Sequence, residues 1–289
     1  MNASRQDMSQ IPLSTSAEAE HAQSDLDRND NTRQIVADVA YRQLVIVNVM
    51  FVGLEGAGDG NWVLVDAGIA GSAKAIRSAA GARFGGHGRP ACIIMTHAHF
   101  DHVGALETLA NEWEVPVYSH HGEHPYLDGT RSYPPADPSV GGGLLARLSP
   151  LFPTSPVNVA SQLYDLPCDH SVPFMPDWRW IHTPGHTPGH ISLWRERDRV
   201  LIAGDAFITT RQESVYAAMT QSPEMHGPPM YFTPDWASAK ASVRELAALA
   251  PEIVVTGHGA AMQGPEMRAA LDALAERFDE VAVPQNQRA

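Results

Sequence analysis

Basic residues are scarce in this sequence. Lys and Arg together number 20 against 33 Asp and Glu in 289 residues, which gives a net charge of −13 at pH 7. No stretch of the chain concentrates Lys and Arg, so neutralisation of a phosphate backbone has no evident source. The composition therefore predicts that nucleic acid is not a partner.

Cysteines and long apolar runs are also few. Cys92 and Cys168 are the two cysteines, too few for a disulfide framework. The longest strongly apolar run, Leu44 to Leu54, is interrupted by Asn48 and falls far short of the ~20 residues of a membrane helix. The N-terminal residues lack the basic region and apolar core of a secretory signal. We therefore expect a cytoplasmic protein with no membrane partner.

What the sequence does contain suits a globular protein, since 44% of its residues are hydrophobic and 18% are charged. Residues 1–32 are polar without apolar periodicity, which predicts a disordered or loosely attached tail. Residues 33–289 are predicted to form one domain, with irregular insertions at about 120–160 and 207–235 that are typical of functional loops. Thr233 and Pro234 predict the start of the next helix, as its N-cap and first residue.

The histidines cluster at the ends of predicted strands. Directly after the apolar strand Ala91–Met95 come four ligand-type residues, His97, His99, Asp101 and His102. Alternation places His97 and His99 on one side of an extended segment, and a turn at Asp101 and His102 directs a second nitrogen and a carboxylate toward a neighbouring ion. This arrangement suits two metal ions better than one.

A second cluster consists of His182, His186 and His190, separated by two Thr-Pro-Gly turns. Proline and glycine at these places exclude a helical pair, so each histidine is judged separately. His186 sits at the turn between two predicted strands and is a predicted ligand. His182 and His190 lie within or beside strands, and hydrogen-bonded core or supporting roles are favoured over ligation for both.

Asp205 and His258 share a local pattern, because each follows an apolar strand and a glycine. The repetition of this pattern predicts that both residues join the metal site. Asp66 also ends an apolar strand. It either hydrogen-bonds a ligand histidine and fixes its tautomer, or caps the helix that follows.

The two insertions contain residues suited to a substrate pocket: His120, His121, His124, Tyr126 and Tyr133 in the first, and Tyr216, Met219, Met225, His226, Met230, Tyr231 and Phe232 in the second. Aromatic and Met side chains above a metal site suit a small, partly apolar substrate. The alternative is that they pack the loops onto the core. The three histidines of the first insertion also fit a surface cluster, so none of them is assigned to metal.

The motifs occur in a fixed order: THAHFDH at 96–102, TPGHTPGH at 183–190, AGDAF at 203–207 and VTGHG at 255–259. In this order they resemble the metallo-β-lactamase-fold hydrolase superfamily over about Ile35 to Gly259, in particular its glyoxalase II-like and lactonase-like members. The resemblance implies an α+β fold, a four-layer αββα sandwich of two mixed β-sheets flanked by helices, with a metal site at one sheet edge.

Carried over by motif, the resemblance also implies the ligands. They form two triads and one bridging residue: His97, His99 and His186 for the first ion, Asp101, His102 and His258 for the second, and Asp205 between them. Asp66 and Gly68 match an early Asp-x-Gly turn that supports the site in this family.

The implied activity is that of a hydrolase with two Zn²⁺ ions per chain, Fe or Mn being the alternatives. A metal-bridging hydroxide would attack the carbonyl carbon of a small ester, lactone, thioester or amide. Asp101 is the predicted catalytic residue, because its carboxylate can orient the hydroxide and pass a proton to the leaving group.

Two other functional hypotheses for the same ligand set stay open. A mononuclear iron persulfide dioxygenase would use residues of the His97, His186 and Asp205 type. A β-lactamase-type amide hydrolase fits less well, because β-lactamases of this fold usually lack the bridging aspartate. Ile208 stands where acyl-homoserine lactonases often have Tyr, which weakens a lactonase of that kind.

Overall fold

The structure, a computed structural model, describes residues 11–13, 30–134, 157–210 and 223–288. Its strands are β1 (Ile11–Pro12), β2 (Arg33–Val36), β3 (Val39–Leu44), β4 (Val47–Val52), β5 (Val63–Val65), β6 (Cys92–Ile94), β7 (Val117–Ser119), β8 (Leu163–Asp165), β9 (Ser171–Val172), β10 (Met175–His182), β11 (Ile191–Arg195), β12 (Val200–Gly204), β13 (Ile208–Thr210), β14 (Pro223–His226), β15 (Ile253–Thr256) and β16 (Met262–Gln263). Its α-helices are α1 (Ala73–Phe84), α2 (Phe100–Val103), α3 (Leu106–Trp113), α4 (His124–Leu127), α5 (Trp236–Ala248), α6 (Gly264–Glu276) and α7 (Phe278–Val281).

The first sheet contains seven strands in the order β2-β3-β4-β5-β6-β7-β8. Neighbours from β2 to β5 are antiparallel, with Tyr41 opposite Met50, and neighbours from β5 to β8 are parallel. Every residue of β4, β5 and β6 is buried. Strands covered on both faces have continuous apolar runs. Strands β5 and β6 have such runs, and Asn48 is the one polar residue in β4.

The second sheet contains six strands in the order β16-β15-β12-β11-β10-β9. Its pairs are antiparallel except for β12 and β15, which run parallel with Ile202 opposite Val255. The carboxyl ends of β12 and β15 therefore lie at the same edge of the sheet.

The two sheets pack face to face, and helices cover their outer faces. The core between the sheets joins residues such as Met50 and Val65 of the first sheet to Trp180 and Ile202 of the second. A second core packs the outer face of the first sheet against α1 and α3, and a third packs the second sheet against α5, α6 and α7. The predicted four-layer αββα sandwich of two mixed sheets is confirmed.

The predicted tail and second insertion contain more structure than expected. Strand β1, inside the predicted tail, pairs with β14, and β14 pairs with β13 to form a small third sheet. Leu13 is buried in the third core. This pairing is long-range, so the local polarity of the tail did not indicate it. The domain division stays a prediction, because residues 1–10, 14–29, 135–156 and 211–222, including Tyr216 and Met219, lie outside the described residues.

Helix α5 begins later than predicted. The carboxylate of Asp235 accepts a hydrogen bond from the Ser238 backbone N–H at 3.0 Å and forms the N-cap, so Thr233 does not cap the helix. The Thr233 hydroxyl instead donates to the Pro229 carbonyl at 2.8 Å.

No helix in the described ranges is long and apolar enough to cross a membrane.

Candidate metal centre

The ligand-type residues meet at one edge of the sandwich because each follows the end of a strand. His97 and His99 follow β6, and Asp101 and His102 lie in the short helix α2. The remaining three occupy the loops after β10, β12 and β15: His186, Asp205 and His258.

The glycines before Asp205 and His258 allow this convergence. A Cβ on Gly257 would lie 2.0 Å from Asp205 Oδ1, and a Cβ on Gly204 would lie 2.6 Å from His190 Nε2. Gly204 also has a φ of +56°, a conformation that L side chains rarely adopt. The pattern of strand, glycine and ligand therefore has a steric reason: a larger residue would displace the site's own side chains.

Three sets of buried residues bring one ligand atom each within 4.8 Å of one another. We call His97, His99 and His186 the first group, and Asp101, His102 and His258 the second group. The third set is His97, His102 and Asp205, and it joins the two groups. The structure thus brings together all seven residues that the sequence motifs singled out.

Asp205 lies at the centre of this arrangement. Its Oδ2 is 3.1 Å from His258 Nε2, 3.4 Å from His186 Nε2 and 4.0 Å from His97 Nε2, and its Oδ1 is 3.6 Å from His102 Nε2. One carboxylate therefore faces histidines of both groups.

Hydrogen bonds on the far side of the rings assign the tautomers of His97 and His102. Asp66 accepts hydrogen bonds from the Thr96 backbone N–H and hydroxyl, each at 2.8 Å, and its Oδ2 is 2.8 Å from His102 Nδ1. His102 Nδ1 must therefore donate to Asp66. Because the Thr96 hydroxyl donates to Asp66, it accepts from His97 Nδ1 at 3.1 Å. In the neutral rings, both Nε2 atoms carry lone pairs directed into the site.

The same argument applies to His186 and His258. Thr233 donates its hydroxyl proton to Pro229, so it accepts from His186 Nδ1 at 3.1 Å. His258 Nδ1 donates to the Ile46 carbonyl at 2.6 Å. His186 Nε2 therefore faces inward as an acceptor, and His99 Nδ1 donates to it at 2.9 Å. His258 Nε2 donates to Asp205 Oδ2 at 3.1 Å.

The direction of the histidine pKa shifts differs between the two groups. Burial lowers the pKa of His99 to about 3 and that of His186 well below the ordinary value. Burial alone would lower the pKa of His102 too, but Asp205 and Asp66 raise it well above 6.5. Burial would raise the pKa of Asp205, but His258 and His102 hold it well below its usual range. Without a cation, protons on the second group therefore balance Asp205, and a bound cation must release them.

Three buried atoms indicate that this cluster suits a cation. His97 Nε2, His102 Nε2 and Asp205 Oδ1 have no hydrogen-bond partner among the described residues. A buried polar atom without a partner costs ~1–3 kcal/mol, so three of them in one cluster require compensation. Imidazole nitrogens and carboxylate oxygens are ligands that Zn²⁺ and related divalent ions accept. The residues therefore fit a metal site.

His182 and His190 of the second histidine cluster lie outside the three sets. His190 Nε2 accepts from the Asp205 backbone N–H at 2.9 Å, and His190 Nδ1 is 2.8 Å from the Thr183 hydroxyl. His182 Nε2 is 2.8 Å from the Pro188 carbonyl, and its ring stacks on His120 with centroids 4.2 Å apart. These contacts agree with the hydrogen-bonded roles favoured for His182 and His190.

The histidines of the first insertion group around that stack. The His121 ring lies 4.1 Å from the His120 ring, and His124 Nε2 is 3.4 Å from the carboxylate of Asp165. For Asp66, the hydrogen bond to His102 agrees with the first of its two interpretations, since Ser72 occupies the N-cap position of α1.

Sequence reasoning missed several residues that support the site. Asn48 donates to the carbonyls of Thr256 and Gly259 at 2.9 and 2.7 Å and so holds the turn of His258. A buried amide interrupting an apolar run was the available signal. Glu123 is buried between two ligand loops, and nothing in its local sequence indicated it.

A cavity of about 270 Å³ opens onto the first group. His99 and His186 line it, together with Tyr126, Tyr133 and Phe232. The rings of Tyr133 and Phe232 each lie 4.5 Å from the His99 ring. The cavity wall beside the candidate ligands is therefore largely aromatic.

Two facing sheets between helices, with a buried His and Asp cluster at one edge, define a metal-binding αββα protein. Residues 42–258 match the family model described as the metallo-beta-lactamase superfamily, and the chain belongs to this superfamily. The superfamily binds divalent metals and is largely hydrolytic.

Named relatives agree with this assignment. "Probable metallo-hydrolase YflN" of Bacillus subtilis (strain 168) is 49% identical over 236 residues, which cover 82% of this chain and 89% of the relative. A beta-lactamase domain protein from Burkholderia ambifaria has a similar fold, with a TM-score of 0.57 at 23% identity, covering 86% of this chain and 77% of that one. TTHA1623, solved in a di-iron-bound form, has a TM-score of 0.51 at 25% identity, covering 81% and 95%.

Proposed function

We propose that this chain is a di-metal hydrolase, with Zn²⁺ as the favoured ion, that cleaves a small ester, lactone, thioester or amide. The proposed ligands are the first group for one ion, the second group for the other, and Asp205 between them. The position of Asp205 carries the proposal, because its Oδ2 lies 3.4 Å from His186 Nε2 of the first group and 3.1 Å from His258 Nε2 of the second, and its Oδ1 lies 3.6 Å from His102 Nε2.

Two ions are favoured over one because the second group is complete. A site for a single ion needs the first group and Asp205 alone. Here Asp101 Oδ2 also lies 3.4 Å from His258 Nε2. Asp66 binds His102 Nδ1 and so directs His102 Nε2 toward the site. Each of these features supports a second ion.

Divalent cations in such a site supply Lewis acidity, which lowers the pKa of water and polarises a carbonyl oxygen. Asp101 is the proposed proton carrier. Burial raises the pKa of its carboxyl group, which makes the carboxylate a better proton acceptor at neutral pH. It would take a proton from the attacking water and deliver it to the leaving alkoxide, thiolate or nitrogen.

The cavity beside His99 and His186 is the proposed substrate site. No Lys, Arg, Asp or Glu side chain lines it among the described residues. Tyr126, Tyr133 and Phe232 supply apolar surface, which suits a small acyl group without charge. The wall therefore favours an apolar or aromatic acyl group.

The proposal is tested by removing metal and measuring hydrolysis on a panel of esters, lactones, thioesters and amides. We expect exhaustive chelation to abolish hydrolysis and two equivalents of Zn²⁺ per chain to restore it. Asp38→Asn is the matched control, because Asp38 pairs with Arg195 and belongs to none of the metal-ligand sets. Hydrolysis without bound metal would overturn the proposal, and oxygen consumption with one iron per chain would replace it with the dioxygenase reading.

A further inference from the structure

Glu123 is a buried carboxylate outside the candidate ligand set. It ends the short 3₁₀ turn His121–Glu123, which follows β7, and its side chain has no exposed surface. It lies in neither group, yet its carboxylate contacts segments that carry ligands of the first group.

Four donors converge on this carboxylate. Oε2 accepts from the Ala98 backbone N–H at 2.9 Å and from the Tyr133 hydroxyl. Oε1 accepts from the Gly189 backbone N–H and from the Thr187 hydroxyl, each at 2.8 Å. Ala98 lies between His97 and His99, and Thr187 follows His186. One side chain therefore joins the two segments that supply the first group.

The backbone of the turn that contains Glu123 also approaches the backbone of the His186 loop closely. A Cβ on Gly189 would lie 2.7 Å from the Glu123 backbone nitrogen, and a Cβ on Gly122 would lie 3.0 Å from Gly189 Cα. These glycines allow the turn of Glu123 to approach the loop of His186 closely enough for its carboxylate to reach Gly189. A glycine in each segment, Gly122 and Gly189, therefore permits the contact.

We propose that Glu123 is a positioning residue that fixes the spacing between the His97–His99 segment and the His186 loop. This inference rests on the proposed function. The spacing brings His99 Nδ1 to 2.9 Å from His186 Nε2, so that one cation can contact both nitrogens once the proton between them is released. The same carboxylate holds Tyr133, whose ring lies against His99 in the cavity. Glu123 therefore links the first metal site to the wall of the substrate cavity.

The donor pattern requires a carboxylate. Each oxygen accepts one backbone N–H and one hydroxyl. A hydroxyl can rotate and become an acceptor, but a backbone N–H cannot. In Glu123→Gln, the amide nitrogen would face the N–H of either Ala98 or Gly189, and one of the two loops would lose its anchor.

The test measures metal affinity separately from activity. Native protein, Glu123→Gln and Asp38→Asn are stripped of metal and titrated with Zn²⁺ against a chelator, and with Co²⁺ followed by visible absorption. We expect Glu123→Gln to bind one of its two ions about 10–100-fold more weakly, with an altered Co²⁺ spectrum, as for other residues that orient ligands. The other ion should be retained, and Asp38→Asn should match native protein.

Milder variants keep the inference testable if Glu123→Gln folds poorly. Thr187→Val removes one hydroxyl donor and should weaken the same ion to a smaller degree, whereas Thr187→Ser should restore native affinity. Tyr133→Phe should leave both affinities within about threefold, because its ring does not join the two loops.

Native affinity for both ions in Glu123→Gln would overturn the inference, and so would equal weakening of both ions. Native protein that binds two ions but hydrolyses nothing would refute the proposed function and leave the role of Glu123 standing. Native protein that binds no ion would overturn both.

Discussion

Substitution of Asp66 by Asn should change the tautomer of two candidate ligands, His102 and His97, while residue 66 keeps almost the same size. In the native protein Asp66 accepts from the Thr96 backbone N–H, the Thr96 hydroxyl and His102 Nδ1. In Asp66→Asn the amide oxygen must keep the Thr96 backbone N–H, because the other orientation sets two N–H groups against each other. The amide NH₂ then donates to His102 Nδ1 and to the Thr96 hydroxyl.

This exchange moves protons into the metal site. His102 Nδ1 becomes an acceptor, so a neutral His102 carries its proton on Nε2, which faces Asp205. The Thr96 hydroxyl becomes free to donate to His97 Nδ1, which favours the same change at His97. Loss of one supporting partner typically weakens metal affinity by ~10–100-fold, or ~1.4–2.7 kcal/mol. We therefore expect at least that loss for the ion held by His102.

Competition with a chelator measures this loss, and hydrolysis at saturating Zn²⁺ measures its effect on activity. Asp38→Asn controls for the loss of a carboxylate, because Asp38 binds Arg195 at 2.7 and 3.0 Å and lies outside the metal-ligand sets. If Asp66→Asn binds both ions with native affinity while remaining folded, the argument from tautomers is wrong.

Three further predictions concern the cavity, pH and metal removal. Phe232→Ala should lower kcat/KM for esters of aromatic acids by about 10-fold relative to acetate esters, because it removes apolar contact surface. His120 has its pKa lowered to about 4 by burial and by His182, so the unfolded chain binds its proton first and stability falls as pH drops from 6.5 toward 4. In the metal-free protein, His120→Asn should reduce this loss by about 1–2 kcal/mol after screening, measured by urea unfolding at pH 7.5 and 4.5. Chelation should lower Tm and Zn²⁺ should restore it, because binding stabilises the folded state.

Each of these three predictions would be contradicted by a specific result. Equal losses on acetate and aromatic esters would mean that Phe232 does not contact the acyl group. An unchanged difference between the two pH values in His120→Asn would assign the acid sensitivity to other groups. A Tm that is insensitive to chelation would argue against a cation bound by the folded chain.

The sequence singled out the ligand-type residues that the structure brings together, because local patterns encode their positions. Asp205 and His258 each follow an apolar strand and a glycine, and the parallel pairing of β12 and β15 brings those strand ends to one edge. The resemblance supplied the αββα architecture, which local periodicity alone does not specify. Asp66 had two interpretations until its contact with His102 was known.

Residues that act through distant contacts were not predictable in this way. Glu123 lies 25 positions from Ala98 and 64 from Thr187 in the chain, and no periodic pattern connects them. Thr233 was predicted as a helix cap because Thr-Pro is a common helix start, but its hydroxyl is used by His186 and Pro229. In both cases tertiary hydrogen bonds, and not local propensity, determine the role.

Stepwise loading of metal-free native protein and of Asp205→Asn with Zn²⁺, with metal content and ester hydrolysis read on the same samples, tests the central claim most directly. Native protein should bind two ions per chain, with hydrolysis rising as the second ion binds. The variant should retain at most one ion tightly and lose activity by about 100-fold or more, since an amide supplies one neutral oxygen where the carboxylate supplies two oxygens and a negative charge. Two tightly bound ions and near-native hydrolysis in Asp205→Asn would contradict the account.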